Sequence, residues 1–173
     1  MQSSEDLGRA QPGHAGLPLI LGIDPGLSQT GWALLAGDSW VVGCGSWQTD
    51  ADESLPARVA DIGRRVGSVL RAHDVTAVAV EKFVHMGPAT NWSAVAGTLR
   101  VLERVVSVCD ARRVPVVELT PSQAKRRLGI VGKPTHEAIT AAFRNVPERT
   151  NEHGRDALLL AWCGWESGVS HAE

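Results

Sequence analysis

The stretch that decides the fold is an apolar run closed by an acidic turn, Leu19-Ile20-Leu21-Gly22-Ile23-Asp24-Pro25-Gly26. Its unbroken apolar character is typical of a β-strand that is buried on both faces. The Asp-Pro-Gly sequence then ends the strand abruptly. Asp24 either caps this turn, which is the commonest role of Asp before Pro-Gly, or binds a cation that offsets the cost of a buried carboxylate.

The segments around this strand predict the rest of the sheet. Short runs at residues 30–36 and 40–47, separated by the hairpin signal Gly37-Asp38, predict two further strands and an antiparallel meander. Helical spacing of apolar residues alternates with β-branched runs after that, which predicts crossovers and parallel pairing. The predicted helices cover residues 54–72, 91–112, 135–143 and 152–165, and the predicted strands cover residues 75–80 and 114–119. The sequence therefore predicts an α/β fold: a five-stranded mixed sheet, three strands antiparallel and then two parallel, flanked by helices.

Length and composition limit the class of protein. The chain has 173 residues, of which 43% are hydrophobic, and this suits one domain with a substantial core. We expect a disordered tail over residues 1–16, a single domain over residues 17–168 and a polar tail over residues 169–173. Three scattered cysteines without CxxC spacing argue against a disulfide scaffold or a zinc site. With no signal pattern and no membrane-spanning run, we expect a cytoplasmic protein.

Four side chains from distant parts of the sequence form a candidate site. Asp24 and Glu81 each follow a predicted buried strand, and they emerge at one sheet edge if those two strands are neighbours. His153 and Asp156 are three residues apart, so they share one face at the start of the last helix. Taken alone, Asp156 could simply be an acidic residue that the helix dipole favours near the start of a helix. A lone His-x-x-Asp is also weak evidence for a functional site. Glu152 reads as an exposed cap and is left out of the site.

The chemistry that needs such a cluster is divalent metal binding. Three carboxylates in a low-dielectric cleft repel one another by several kcal/mol, on the order expected for like charges at short range. Two Mg²⁺ ions would remove this repulsion, and a pair about 4 Å apart can clamp the attacking and leaving oxygens of a phosphodiester. Asp24, on the central strand, is the natural shared ligand. Because His153 is a softer ligand than Mg²⁺ prefers, Mn²⁺ should also support activity.

At this point the motifs resemble a known family. Gly22-Ile23-Asp24-Pro25-Gly26, then Thr30-Gly31-Trp32-Ala33, Val80-Glu81, Thr120-Pro121-Ser122 with Lys125, and finally His153-x-x-Asp156-Ala157-Leu158 resemble the RuvC family of Holliday-junction resolvases. The resemblance runs in register from about residue 19 to residue 168. It implies a ribonuclease H-like fold and a homodimer. It also implies Mg²⁺-dependent paired nicking of four-way DNA junctions that leaves 5′-phosphate and 3′-hydroxyl ends. By motif, the catalytic and metal-binding positions would be Asp24, Glu81, His153 and Asp156, and branch-migration proteins are candidate partners.

Basic residues supply the local positive surface that a chain of net charge −2 needs to bind DNA. The candidates are Lys125, Arg126 and Arg127, with Lys133 nearby, although a basic triplet can also be a solvated helix face. The family commonly has a Phe three residues after the Glu, in a loop that wedges between bases. Here that position is Val84, and Phe83, one residue earlier, is either the wedge or a core residue. A second family lysine falls near His136. Trp92 could stack on a base, but on an apolar helical stripe it is more often core.

Three rival functions stay open on the sequence. An ATP-binding module of the actin and sugar-kinase type also uses an Ile-Asp-x-Gly strand end, but it needs a second lobe and a second glycine-rich loop. A related nuclease could act on flaps or RNA–DNA hybrids. A catalytically idle dimer could merely bind branched DNA, and the intact set of four residues argues against it.

Overall fold

The computed structural model describes residues 16–82 and 92–168, with only the backbone of Pro121. The elements, in chain order, are β1 (Leu19–Asp24), β2 (Gln29–Ala36), β3 (Trp40–Gln48), α1 (Leu55–Ala72), β4 (Val75–Glu81), α2 (Trp92–Asp110), β5 (Val116–Leu119), α3 (Pro121–Arg127), α4 (His136–Ala142) and α5 (Glu152–Glu166). Every predicted element is present. The helix α3 is additional to the predicted elements.

The sheet has the strand order β3-β2-β1-β4-β5. Strand β1 is central and pairs antiparallel with β2 and parallel with β4, while β4 pairs parallel with β5. The predicted arrangement of three antiparallel strands followed by two parallel ones is therefore confirmed. The neighbouring positions of β1 and β4 also confirm the condition on which the candidate site depended.

Helices cover both faces of the sheet. On one face, α1 and α2 pack over a core that includes Leu21, Ile23 and Val78. On the other face, α5 lies directly against β1, β2 and β4 over a core that includes Ile20, Ala79 and Leu158. Because side chains alternate along a strand, β1 contributes to both cores, which explains why its sequence is apolar throughout.

Local chemistry explains where the elements begin and end. The Ser54 hydroxyl accepts a hydrogen bond from the Ala57 amide, so Ser54 caps α1 and is not its first residue. Helix α2 ends at Asp110, earlier than predicted, and the chain turns at Arg113, whose φ is +57°. Strand β5 begins at Val116, after Pro115, because proline has no amide hydrogen to donate to the ladder.

Two expectations from composition can be compared with the fold. All three cysteines are free thiols, of which Cys109 and Cys163 are buried and Cys44 is half-buried. Among residues 16–82 and 92–168, none of the helices has the length and apolarity needed to cross a bilayer. The predicted core position of Trp92 is wrong: its side chain is 62% exposed at the start of α2.

Candidate active site

The ends of the two central parallel strands bring the first two carboxylates together. The register pairs Ile23 with Val80, so Asp24 and Glu81, the next residues, leave the sheet side by side. Their side chains are close enough for a hydrogen bond between the carboxyl groups to raise the pKa of Glu81. The predicted meeting of strand-end carboxylates at one sheet edge is therefore confirmed geometrically.

Helix α5 brings the other two predicted residues to the same edge. The Nδ1 atom of His153 lies 2.8 Å from Oδ2 of Asp24. Because an ionised carboxylate only accepts hydrogen bonds, the imidazole is the donor in this contact. Asp156 is one helical turn further along, and its negative charge also raises the pKa of Glu81. All four predicted residues thus lie together.

Glycines allow α5 to approach the sheet so closely. A Cβ atom at Gly31, which pairs with Asp24 in the sheet, would collide with the carbonyl oxygen of His153. A Cβ atom at Gly22 would collide with the carbonyl oxygen of Ala157 and would lie 2.7 Å from the amide nitrogen of Ala161. The backbone of the helix therefore rests directly on β1 and β2, and this places His153 over Asp24.

Asn151 and Arg155, which were not among the predicted site residues, hold the start of α5 in place. The amide of Gly154 donates to Oδ1 of Asn151, which makes Asn151 the helix cap, and Nδ2 of Asn151 donates to the Ser46 hydroxyl at 2.6 Å. The cap reading of Glu152 was therefore wrong. On the other side, Arg155 donates to the carbonyl oxygens of Pro134 and Thr150. An Asn directly before the predicted helix start was a usable signal for the cap.

The predicted basic residues divide into paired and unpaired ones. Nζ of Lys125 lies 3.0 Å from Oδ1 of Asp156, and Lys125 opposes the rise in the pKa of Glu81. Further along, NH1 of Arg127 lies 2.8 Å from Oε2 of Glu166. The remaining pair joins Lys133 and Glu152.

Arg126 is exposed, and no carboxylate among the described residues lies within ion-pair distance of it. Phe83 and Val84 lie outside the described residues.

The electrostatics of the cluster favour an added cation. Burial is the largest cause that raises the pKa of Glu81 from 4.5 to about 7, and the charge of Asp24 and a hydrogen bond to it come next. Oδ1 of Asp156 is buried, and its contact with Lys125 lacks hydrogen-bond geometry, which leaves this oxygen without a hydrogen-bond partner. The cluster therefore holds more negative charge than its own basic residues compensate.

The donor set fits a divalent metal ion in its chemistry. Three carboxylates and one imidazole are ligands that Mg²⁺ and Mn²⁺ accept. As the side chains stand, no three His, Cys, Asp or Glu groups in residues 16–82 and 92–168 have metal-ligand spacing. In this arrangement Nδ1 of His153 contacts Asp24, and Nζ of Lys125 contacts Asp156. Loading with metal would exchange these contacts for metal–ligand bonds.

Replacing Glu81 by Gln should stabilise the metal-free protein at pH 8 and leave it nearly unchanged at pH 5. The pKa of Glu81 is raised in the folded protein, so folding favours its protonated form. The stability contribution is fully present below the unfolded pKa near 4.5 and is lost as the pH rises through about 7. At pH 8 the ionised carboxylate costs about 1–2 kcal/mol, less than the full shift implies because water still reaches the group, and the neutral amide avoids this cost.

The measurement is thermal unfolding in EDTA at both pH values, with the exposed Glu53→Gln variant as the matched control. We expect a higher melting temperature for Glu81→Gln at pH 8 only, and no pH-dependent difference for Glu53→Gln. Equal melting temperatures for Glu81→Gln and the unsubstituted protein at pH 8 would show that the ionised Glu81 carboxylate does not destabilise the fold.

Comparisons with known proteins identify relatives of this chain. The sequence profile of the family described as "Crossover junction endodeoxyribonuclease RuvC" matches residues 20–164. The RuvC of Nitratidesulfovibrio vulgaris is 33% identical over 151 residues, covering 83% of this chain and 88% of that protein. The RuvC of Synechococcus sp. (strain CC9311) is 30% identical, covering 84% of this chain and 97% of that protein.

Solved structures share the fold. The structure of T. thermophilus RuvC in complex with a Holliday junction substrate superposes with a TM-score of 0.70 at 24% identity, covering 90% of this chain and 92% of that one. The yeast mitochondrial Holliday junction resolvase superposes with a TM-score of 0.61 at 14% identity, covering 90% of this chain and 82% of that one. The fold is thus ribonuclease H-like, as predicted.

Nucleases of the matching family depend on metal ions. The profile match and the sequence identity together show that this chain belongs to the RuvC family of crossover junction endodeoxyribonucleases.

Proposed function

We propose that this protein resolves four-way DNA junctions by metal-dependent hydrolysis of one phosphodiester in each of two opposed strands. The observation that carries the proposal is the meeting of Asp24, Glu81, His153 and Asp156 at one sheet edge, in a chain that belongs to a family of such enzymes. The RuvC of T. thermophilus was solved with a Holliday junction substrate. We extend that substrate to this protein.

In this proposal the four clustered residues are the catalytic residues and hold two Mg²⁺ ions, for which Mn²⁺ can substitute. When bound, the two ions supply the positive charge that activates a water and stabilises the departing 3′ oxygen. The water oxygen forms a bond to phosphorus and gives up a proton, the bond from phosphorus to the 3′ oxygen breaks, and that oxygen takes up a proton. The products are a 5′-phosphate and a 3′-hydroxyl.

The protein's own groups would prepare the site. Asp24, on the central strand and in contact with both neighbours, is the natural shared ligand. Glu81 would lose its proton when the cluster receives positive charge, since that charge removes the repulsion that raises its pKa. Lys125 would leave Asp156 when metal arrives, and its ammonium would then be available to the phosphate that is cut.

A homodimer would supply the two active sites that paired nicks need. Helix α2 presents an apolar surface that includes Trp92, 62% exposed, and Leu99, 37% exposed. Beside it, α1 and α2 enclose an open groove of about 410 Å³ with Leu55 and Val59 in its lining. The exposed apolar side chains of α2 support a protein–protein contact, and a second copy of the chain is the partner we propose. Branch-migration proteins as partners and a cytoplasmic location remain predictions.

The DNA-contact surface in the proposal consists of Lys125, Arg126, Arg127 and Lys133, with Phe83 as the residue that enters the junction centre. Replacing Arg126 by Ala should weaken DNA binding, because this exposed guanidinium has no carboxylate within ion-pair distance among the described residues. One lost phosphate contact should make the slope of log K against log salt less negative by about 0.9.

Fluorescence anisotropy of a labelled junction at several salt concentrations measures this slope. The triple replacement of Lys125, Arg126 and Arg127 by Ala should reduce both affinity and slope further. An unchanged slope in the triple variant would exclude the basic triplet as a phosphate contact.

The experiment that tests the proposed function compares substrates and metals. Nicking is measured on a four-way junction, a flap, a linear duplex and an RNA–DNA hybrid, each with Mg²⁺, Mn²⁺ or EDTA. We expect symmetric paired nicks in the junction only, and only with metal. Preferential cutting of the flap or the hybrid would instead support the related nuclease function, and binding without cutting would support the idle dimer. Family membership argues against the ATP-binding module.

A further inference from the structure

Lys133, one of the proposed DNA-contact residues, already has an anionic partner at the start of α5. Nζ of Lys133 lies 2.8 Å from Oε1 and 3.1 Å from Oε2 of Glu152, so both carboxylate oxygens contact one ammonium. Glu152 directly precedes His153 and is the first residue of α5. The two oxygens present to Lys133 the same kind of anionic acceptor that a DNA phosphate would present.

This ion pair lies where a ligand can reach and exchange it. The Lys133 side chain is 81% exposed and the Glu152 side chain 43% exposed. Exposed pairs of this kind contribute little net stability, because water solvates both groups well. The hydrogen bond from Lys133 lowers the pKa of the Glu152 carboxyl group, and the same contact raises the pKa of the Lys133 ammonium.

The loop that carries Lys133 is held independently of this pair. The amide of Ile130 donates to the carbonyl oxygen of Lys125 at 2.7 Å. At the other end of the loop, Nε of Arg155 donates to the carbonyl oxygen of the buried Pro134, also at 2.7 Å. Release of Glu152 would therefore free the ammonium of Lys133 without releasing the loop from the catalytic helix.

We propose that Glu152 is an intramolecular phosphate mimic, which DNA must displace from Lys133 in order to bind the face that carries the active site. This inference rests on the proposed DNA-binding function. Displacement has two consequences. The contact between Lys133 and a phosphate yields less net affinity, since an existing ion pair is broken, and the released Glu152 carboxylate then repels the phosphate beside it. Glu152 thus limits the affinity for sequence-independent backbone contacts, which dominate binding to linear duplex.

The test is a double-mutant cycle between Glu152→Gln and Lys133→Ala, with DNA binding as the readout. Anisotropy is measured in EDTA, so that no DNA is cut, with a labelled four-way junction and a labelled linear duplex. Glu152→Gln should bind DNA about three- to fivefold more tightly, as expected when an exposed competing pair is removed. The slope of log K against log salt should become more negative by about 0.9. The reason is that the contact between Lys133 and a phosphate then yields a net release of one more counterion from the DNA. In the Lys133→Ala background, Glu152→Gln should change affinity by less than about twofold, within the spread of additive effects.

The matched control removes the same charge far from the site. Asp110→Asn, at the exposed end of α2, should leave both affinity and slope unchanged. Equal tightening by Glu152→Gln with and without Lys133 would overturn the inference, because the effect would then be general repulsion. No tightening by Glu152→Gln, in a protein that Lys133→Ala does weaken, would also overturn it while leaving the proposed function intact. If Lys133→Ala leaves the DNA affinity unchanged, the inference is overturned, because Lys133 then makes no phosphate contact. If the unsubstituted protein binds no DNA at all, the proposed function is overturned together with the inference.

Discussion

The Asp24→Asn variant should lose junction cleavage by about 10³-fold or more, the scale expected when a central group of a metal-assisted site is removed, while it still binds the junction. Asp24 is the side chain that touches both sides of the cluster. Its Oδ2 contacts Nδ1 of His153, and its charge and hydrogen bond raise the pKa of Glu81. An amide keeps the shape of the carboxylate but has no charge with which to hold a cation. The substitution leaves the proposed DNA-contact surface untouched, so affinity should persist.

Single-turnover nicking of a labelled junction in Mg²⁺ and anisotropy on the same DNA measure the two properties separately. The matched control is Asp38→Asn, in the exposed turn between β2 and β3 at the opposite end of the sheet. This control should cut at the normal rate. Undiminished nicking by Asp24→Asn would remove Asp24 from the catalytic cluster, and joint loss of binding and folding would point to a structural role.

The Gly22→Ala variant should be destabilised by more than about 3 kcal/mol, at the upper end of what overpacking a core costs. The added Cβ atom would collide with the carbonyl oxygen of Ala157 and stand 2.7 Å from the amide nitrogen of Ala161. Both are backbone atoms of α5 and cannot rotate away. The helix would have to move off β1, and because His153 and Asp156 are on this helix, the site would be disrupted together with the core.

The control for Gly22 is a glycine that has room for a side chain. In α1, a Cβ atom at Gly67 would meet its nearest neighbours at 3.6–3.8 Å, which is ordinary contact. Gly67→Ala should therefore stabilise the protein by about 0.5–1 kcal/mol through helix propensity. Chemical denaturation of both variants measures the difference. If Gly22→Ala unfolds at the same denaturant concentration as the unsubstituted protein, α5 does not rest on β1 as described.

The central part of the fold could be predicted because its signals are local. An apolar run such as Leu19–Asp24 has no exposed face, and this already indicates a strand in the middle of a sheet covered on both sides. Two such runs that end in Asp24 and Glu81 needed only to be neighbours, and parallel pairing of β1 with β4 made them so. The helical spacing of His153 and Asp156 likewise required no tertiary information.

Errors arose where contacts between distant segments outweighed local preference. Trp92 lies on an apolar helical stripe, yet its side chain is exposed, because a stripe shows which residues could be buried and not what covers them. The sequence predicts Glu152 as a cap, although Asn151 caps α5 and is itself held by Ser46 on β3. The sequence predicts a local positive surface, and the structure shows that Lys125, Arg127 and Lys133 each face a carboxylate.

By itself, then, the sequence determined the order and type of the elements and the four residues of the candidate site, since the periodicities of strands and helices are properties of neighbouring residues. Only the tertiary structure decided how those residues are charged and partnered. The raised pKa of Glu81 depends on burial and on Asp24, 57 positions earlier in the chain. Two other features likewise depend on distances between segments, which no local pattern specifies. They are the close packing of α5 against Gly22 and Gly31 and the pairing of Lys133 with Glu152.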